Sequence, residues 1–546
     1  MSSNELKVEP VKTDGSASPR SMAKLYRTQK ELLTPETSKL TGKLPSWVKG
    51  TYIRTGPGKF DFDNNFEMNH FMDGYAIITK FEIDEEEVKF SKKFLETDAY
   101  KKAMIAQKPV ICEYGTHAQA PDPTKSRFSR FIPTSLIPEL SDNSNINLFN
   151  VGDNVCVTGE TCYFRELDAE TLESGDKFDT NKMLGLQNAA AHPLTDEDGT
   201  IYNVGSSLSF KYNIFKIPNP GDKKDTNVKD SMKKSKVICQ VPTSHTGLLS
   251  YNHSFGMTKN YFILIEQPFV LNVGKIVGAL MSKGYSFSDW LEWRPELKNR
   301  FHVIEKATGK ILKTEIWSDT FFFLHIINCF EMNNQIVLDI TTFPDPTILN
   351  SLDMGKLRRG EFETEPTSVA QRFVLPIVDV KEVAEGVNLV NMTGTTVKTE
   401  AKAVRQGNKI IVTPDTMTEK GLELPVINRR FLTKKTSYFY ATGSVAKGYF
   451  ENSLCKVHTT KKETFLFKDS DTYYFGEPTF VANPEAKTED DGILITAVTD
   501  IREGSNDFLV FVDARNMEEI ARAEFKHDIP QALHGIFLPF NPNNSN

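Results

Sequence analysis

The sequence predicts an all-β protein, a β-propeller of about seven repeating units that carry long insertions. Three observations lead there. Short β-branched or aromatic runs closed by turn residues dominate the chain, as at 261–266, 335–343, 409–413, 493–499 and 508–513, while helical periodicity is scarce. A hairpin phrase recurs as Leu167-Asp168-Ala169-Glu170-Thr171-Leu172, Ile304-Glu305-Lys306-Ala307-Thr308-Gly309 and Val512-Asp513-Ala514-Arg515-Asn516-Met517. Four histidines with distinctive neighbours follow one another at 61, 72 and 209 residues, and the acids of the hairpin phrase at 137 and 208. Both sets fit multiples of a step of about 69.

Each hairpin phrase sets an acid at a strand end and Thr or Asn three residues later, where short polar side chains can bond the turn backbone. Chance is the competing reading, since such turns are common. Dividing the ordered length by the step gives about seven units, whereas typical blades need only about 40 to 50 residues. Insertions take up the surplus, among them the Lys- and Asp-rich loop 218–236. Residues 1–21 hold few large apolar side chains and are expected to form a disordered tail, with 22–546 as a single domain.

Composition narrows the function. A net charge of −7 gives no electrostatic footprint for nucleic acid. The six cysteines form no CxxC pair, and the first residues lack a basic region followed by an apolar run, so neither a disulfide framework nor secretion is expected. No run approaches the roughly 18 apolar residues of a bilayer span. The expectation is a cytoplasmic protein that can still rest on a membrane surface.

The four histidines are His192 in Ala191-His192-Pro193, His253 in Asn252-His253-Ser254-Phe255-Gly256, His325 in Leu324-His325-Ile326 and His534 in Leu533-His534-Gly535. Each imidazole can give one nitrogen to a metal, and its other N–H then needs an acceptor. Glu160, Glu423 and Glu477 stand isolated among neutral or apolar neighbours, as acceptors with one internal partner would. Four neutral ligands leave two of six octahedral positions open, and no cysteine stands beside them to suggest a closed structural zinc. Imidazole suits Cu, Ni, Zn and Fe alike, so the ligands do not choose the metal. A lone histidine among apolar residues is more often a hydrogen-bonded core residue, and only the shared spacing raises the four together. His70, in Asn69-His70-Phe71-Met72-Asp73-Gly74, misses the step and is read as structural; His117, His245, His302, His458 and His527 are read as surface or ordinary polar residues.

From Leu44 to Phe540 the chain resembles the carotenoid cleavage oxygenases, a family that includes the vertebrate retinoid isomerohydrolase. The likeness rests on Leu44-Pro45-Ser46-Trp47-Val48-Lys49-Gly50, Arg54-Thr55-Gly56-Pro57-Gly58, Met72-Asp73-Gly74, Glu113-Tyr114-Gly115-Thr116 and Pro121-Asp122-Pro123, and on the His and Glu phrases in the family's order. It implies a seven-bladed propeller under a helical and loop dome, with Fe(II) held on the axis by His192, His253, His325 and His534, and with Glu160, Glu423 and Glu477 accepting the outer ring protons. O₂ would be the co-substrate. Two residues depart from vertebrate relatives: Gly159 stands where they carry Thr, and Thr124 replaces a Cys used for lipid attachment.

The resemblance further implies cleavage of a carotenoid at its central 15,15′ double bond to retinal-type aldehydes. Within the family the chain most resembles an insect branch whose members also isomerise one half of the substrate, a chemistry tied to vision. A retinoid isomerohydrolase that works without O₂ and a non-catalytic carotenoid-binding propeller are the alternatives. Tyr114 is a candidate wall residue of the substrate tunnel, against the reading that it packs a strand. Residues 269–281, with Phe269, Val273, Ile276, Val277, Leu280 and Met281 at helical spacing, read equally as an interfacial helix or a core-facing one, and the resemblance favours a peripheral membrane patch. No obligate protein partner is implied.

Overall fold

Runs of β-branched and aromatic residues pair with their immediate successors, so antiparallel meanders are the unit from which the molecule is built. The computed structural model describes residues 22–125, 139–221, 227–279, 285–361, 367–443 and 452–540. The expected tail, 1–21, lies outside them. Eight sheets form among the described residues, seven with four or more strands and one with three. Three of the seven, spanning 147–179, 194–242 and 422–467, are plain four-stranded meanders.

The sequence-predicted strands are present. Tyr261–Glu266 and Lys409–Thr413 match the expected ranges, and the other three fall on Gln335–Thr342, Gly492–Asp500 and Asp507–Asp513. Lys409–Thr413 pairs with the strand just before it, Lys402–Gln406, and also takes a partner from far along the chain. It runs parallel to Glu315–Ser318 and, with Lys402–Gln406, widens the sheet that begins at Gly256–Met257 to six strands.

Apolar side chains do not gather in one core. They fill the spaces between neighbouring sheets. Along Tyr261–Glu266, Phe262 and Leu264 join the cluster shared with the 194–242 sheet, while Ile263 and Ile265 join the one shared with Ile336 and Leu338 of the following sheet. Gly492–Asp500 behaves likewise, with Ile493, Ile495 and Ala497 facing Tyr52 and Phe81, and Leu494 and Val498 facing Tyr440 and Leu454. The strand period of two thus delivers alternate residues to opposite clusters, and such strands are buried throughout. All seven larger sheets are linked in this manner, each to the next. The circuit returns through the cluster joining Ile53, Ile78 and Ile536 to Leu148 and Val157.

His534–Pro539 closes it. This strand pairs with Gly50–Lys59, and Tyr75–Ile83, Glu87–Phe94 and Leu32–Lys39 complete the sheet, so segments from both ends of the sequence share one ladder. The three hairpin phrases adopt one turn: the amides of Leu172, Gly309 and Met517 donate to the carbonyls of Asp168, Glu305 and Asp513 at 2.8, 2.8 and 2.9 Å, and all three residues have φ between 59° and 70°. In all three the acid bonds the turn, Asp168 accepting from Thr171 N–H, Asp513 from Arg515 N–H and Glu305 from the Thr308 hydroxyl. A fourth copy at 458–462 carries His458 in place of the acid, its carbonyl accepting from Lys462 N–H at 2.9 Å.

Residues 269–281 correct the sequence reading. Phe269–Asn272 is a strand, paired with Leu248–Ser250 and Leu291–Trp293 in the three-stranded sheet, and only Val273–Ala279 is helical. Phe269 and Val270 are buried by these partners, and a strand with two neighbours satisfies its backbone on both sides, which outweighs the helical spacing of its side chains. Leu280 and Met281 lie outside the described residues. Among those described, no helix is long and apolar enough to cross a membrane. The loop 218–236 holds a short helix, Val228–Lys233, and strand begins at Lys236.

Candidate metal centre

One edge position recurs sheet after sheet. Asn147 opens the first strand of its sheet; His192 and His253 stand just ahead of Leu194–Thr195 and Gly256–Met257; His325 precedes Ile326–Met332; Glu423 is the second residue of Leu422–Val426; Glu477 precedes Thr479–Ala482; His534 opens His534–Pro539. Seven successive sheets therefore aim their leading residue at one place. Glu160 joins from the turn after Asn154–Thr158.

The structure brings all four histidines together. One ring nitrogen from each lies within 4.8 Å of the other three, and His253 Nε2 stands 3.0 Å from His192 Nε2 and 3.1 Å from His325 Nε2. Rings that faced one another this closely as cations would repel. The inward Nε2 atoms are those that would hold a metal ion.

The outward nitrogens meet the three glutamates. His253 Nδ1 bonds Glu160 Oε1, His325 Nδ1 bonds Glu423 Oε2 at 2.7 Å, and His534 Nδ1 bonds Glu477 Oε1 at 2.8 Å. The carboxylates are held in turn. Glu423 accepts from Thr341 Oγ1 at 2.9 Å and from Leu424 N–H at 2.6 Å, and Glu477 Oε2 accepts from Gly535 N–H at 3.0 Å. Such bonds fix ring orientation and tautomer, leaving Nε2 as the free donor.

Electrostatics divide the quartet. Burial pushes His192 well below the ordinary histidine range, reinforced by the other three rings, and burial also lowers His253 against the pull of Glu160. At His325 burial is outweighed by Glu423, with Glu477 and Glu160 adding to it, and its pKa is raised. Glu423 is lowered despite its burial, because His325 and the donors around it favour the carboxylate.

Two neighbours escaped the sequence reading. Tyr251, two residues before His253, donates its hydroxyl to Glu160 Oε1 at 2.6 Å, so that oxygen serves a ring and a phenol together. Its place in Tyr251-Asn252-His253 was the available signal. Asn147 stands beside His192, its Nδ2 3.2 Å from Nδ1, and nothing in its local sequence marks it. Tyr114 is half-buried, its ring 4.7 Å from His70 and 6.4 Å from Phe287. It borders an apolar cluster of Tyr251, Phe269, Phe322, Phe343 and Leu349.

The remaining histidines lie elsewhere. His70 Nε2 bonds the Leu349 carbonyl at 2.7 Å, and its Nδ1 caps a short helix at Met72. His302, expected to be an ordinary polar residue, is buried and bonded to Glu266 at 3.1 Å. His117 is half-buried and His527 exposed, and they pair with Asp289 and Glu36.

A donor set of four imidazoles backed by three carboxylates fits a divalent metal: the rings supply nitrogen without charge, and the acids offset the ion from outside its ligand shell. The chain is similar to several known proteins. A carotenoid-cleaving dioxygenase of Mustela putorius furo is 34% identical over 534 residues, covering 95% of this chain and 96% of that one. A human beta,beta-carotene 15,15′-dioxygenase is 33% identical over 521 residues, 94% of each. Among solved structures, a mutant of the Synechocystis apocarotenoid oxygenase gives a TM-score of 0.73 at 20% identity, covering 96% of this chain and all of that one, and a cobalt-substituted form of that enzyme gives 0.72 at 19%, with the same coverage. Matched from residue 26 to residue 539 by the family described as retinal pigment epithelial membrane protein, the chain belongs to the carotenoid cleavage oxygenases.

Proposed function

We propose that this protein is a non-haem Fe(II) dioxygenase that cleaves a carotenoid at its central 15,15′ double bond, with trans-to-cis isomerisation of one half. The observation that carries this is the imidazole quartet, its Nε2 atoms converging while three carboxylates take the outer ring protons. His192, His253, His325 and His534 would hold the ion, with Glu160, Glu423 and Glu477 fixing three of the rings. Bound there, Fe(II) supplies the activation of O₂.

In this reaction the central C=C bond breaks and each carbon gains one oxygen atom, giving two aldehydes. The chain's task is to place that bond beside the quartet and keep water away. Tyr251, Phe269, Phe322 and Phe343, with Tyr114 at their border, form an apolar wall joined to the centre through the Tyr251 hydroxyl on Glu160. Aromatic faces stabilise positive character spread along a polyene without bonding to it, as isomerisation requires. The Tyr251 proton is engaged by Glu160, and burial with that charge raises its pKa well above the usual phenol range, so it does not protonate a substrate.

The seven larger sheets, each sharing a core cluster with the next, support a seven-bladed propeller, and the three-stranded sheet with Val273–Ala279 supports a dome over it. The substrate is lipid-borne, so we read that helix, which exposes Gly274, Lys275 and Gly278, as part of a peripheral membrane patch. Co-sedimentation with liposomes tests it, and recovery of the protein solely in the supernatant refutes it.

Purified, iron-loaded protein incubated with zeaxanthin and with β-carotene under air should yield C20 aldehydes, one in cis geometry, and no product under argon. Equal turnover of a retinyl ester under argon would favour an isomerohydrolase instead. Pigment binding without turnover would favour a carrier.

A further inference from the structure

Three rings of the quartet face an acid through Nδ1, and the fourth faces an amide. Around His192 the neighbour is Asn147, whose side chain is pinned by two bonds: Oδ1 accepts from Leu148 N–H at 2.8 Å, and Nδ2 donates to the Ala191 carbonyl at 2.9 Å. The second hydrogen of Nδ2 is then left for His192 Nδ1, 3.2 Å away. An imidazole that gives Nε2 to a metal and stays neutral carries its proton on Nδ1. At His192 that proton meets another donor. Turning the amide over would offer Oδ1 to the ring, but it would set Nδ2 against the Leu148 N–H and Oδ1 against the Ala191 carbonyl, losing both pinning bonds. The other three sites present no such conflict, because a carboxylate only accepts.

We propose that Asn147 is a positioning residue that makes His192 the weakest and most readily exchanged member of the quartet. The centre is then three firmly held rings plus one loose one, with the loose position written by an amide where a carboxylate would have held it tight. This inference rests on the quartet being a metal site, and the experiment separates the two.

Co(II) affinity is measured by competition titration for the wild type, Asn147→Asp and Asn147→Ala, and pulsed EPR of the Cu(II)-substituted proteins reads the outer ring nitrogens. The wild type should show two classes of outer nitrogen. Asn147→Asp should merge them and bind Co(II) about tenfold tighter, the usual lower bound for such a partner, while Asn147→Ala should not weaken Co(II). A single class in the wild type, with Asn147→Ala weakening Co(II) by about tenfold or more, would mean that the amide supports His192 and would overturn the proposal. Ligand deletion gives a measurement independent of how the Asn147 variants fold: His192→Ala should retain Co(II) about tenfold better than His325→Ala, and equal losses would overturn the proposal. A wild type that binds no Co(II) at all would instead overturn the metal centre, and this inference with it.

Discussion

At the scale of single residues, the metal centre is a set of donor and acceptor matches, and Glu423 holds the most demanding one. It binds His325 Nδ1, Thr341 Oγ1 and Leu424 N–H together, and it raises the pKa of His325. Glu423→Gln keeps the shape and removes the charge, so metal affinity should drop about 10- to 100-fold, read as Co(II) dissociation constants; an unchanged constant would show that the charge does not matter. The sign with pH follows. A metal must displace the His325 proton, whose folded pKa lies above the ordinary 6.5. Affinity should therefore keep climbing with pH beyond 6.5 until that raised pKa is passed, and the plateau should begin at lower pH in Glu423→Gln. The four histidines were legible in the sequence because each carries a recognisable neighbour at a repeating step, and the three glutamates because each stands isolated among neutral or apolar residues and falls in the order of the family it resembles. Asn147 was not, because the ring it touches is 45 residues away and an Asn opening a strand is ordinary.

At the scale of elements, the hairpins and strands were legible and the connections between sheets were not. Runs of β-branched and aromatic residues revealed the strands, yet nothing local told that Lys409–Thr413, besides its neighbour Lys402–Gln406, would take a parallel partner, or that Phe269–Asn272 would pair as a strand in spite of helical spacing. The fourth hairpin at 458–462 was hidden because histidine replaces the acid. One buried acid joins elements from two sheets: Glu266 accepts from Tyr212 at 3.0 Å, from the Thr243 hydroxyl at 2.8 Å and from Ser244 N–H at 2.8 Å, and bonds His302 at 3.1 Å. Burial alone would raise its pKa, but His302 and Ser244 outweigh it and bring the carboxyl down from 4.5 to about 2. A depressed carboxyl stabilises the fold above 4.5, and that contribution fades as pH falls towards 2. Glu266→Gln should lower the denaturation midpoint at pH 7 and do so much less at pH 3; an equal loss at both would show that charge is not what Glu266 contributes.

At the scale of the molecule, stability is spread around a circuit of shared clusters, with no sheet owning a core of its own. The step of about 69 read from the histidines led to an expectation of about seven units. It could not give the closure, which depends on His534–Pro539 pairing with Gly50–Lys59. Ile53, fully buried opposite Ile536, lies in that ladder, and Ile53→Ala should cost about 2–5 kcal/mol by the cavity it leaves. Heating the metal-loaded variant should release metal and unfold the sheets in one transition at lower temperature; metal loss well before unfolding would show the centre to be independent of the closing ladder. The same closure bears on how the protein is made. Its four imidazoles are scattered over a stretch of sequence from 192 to 534, and the last arrives with the strand that seals the circuit. Until that strand has been made, a growing chain on the ribosome can muster at most three of them, and a message cut short before it would give a product that never gathers all four.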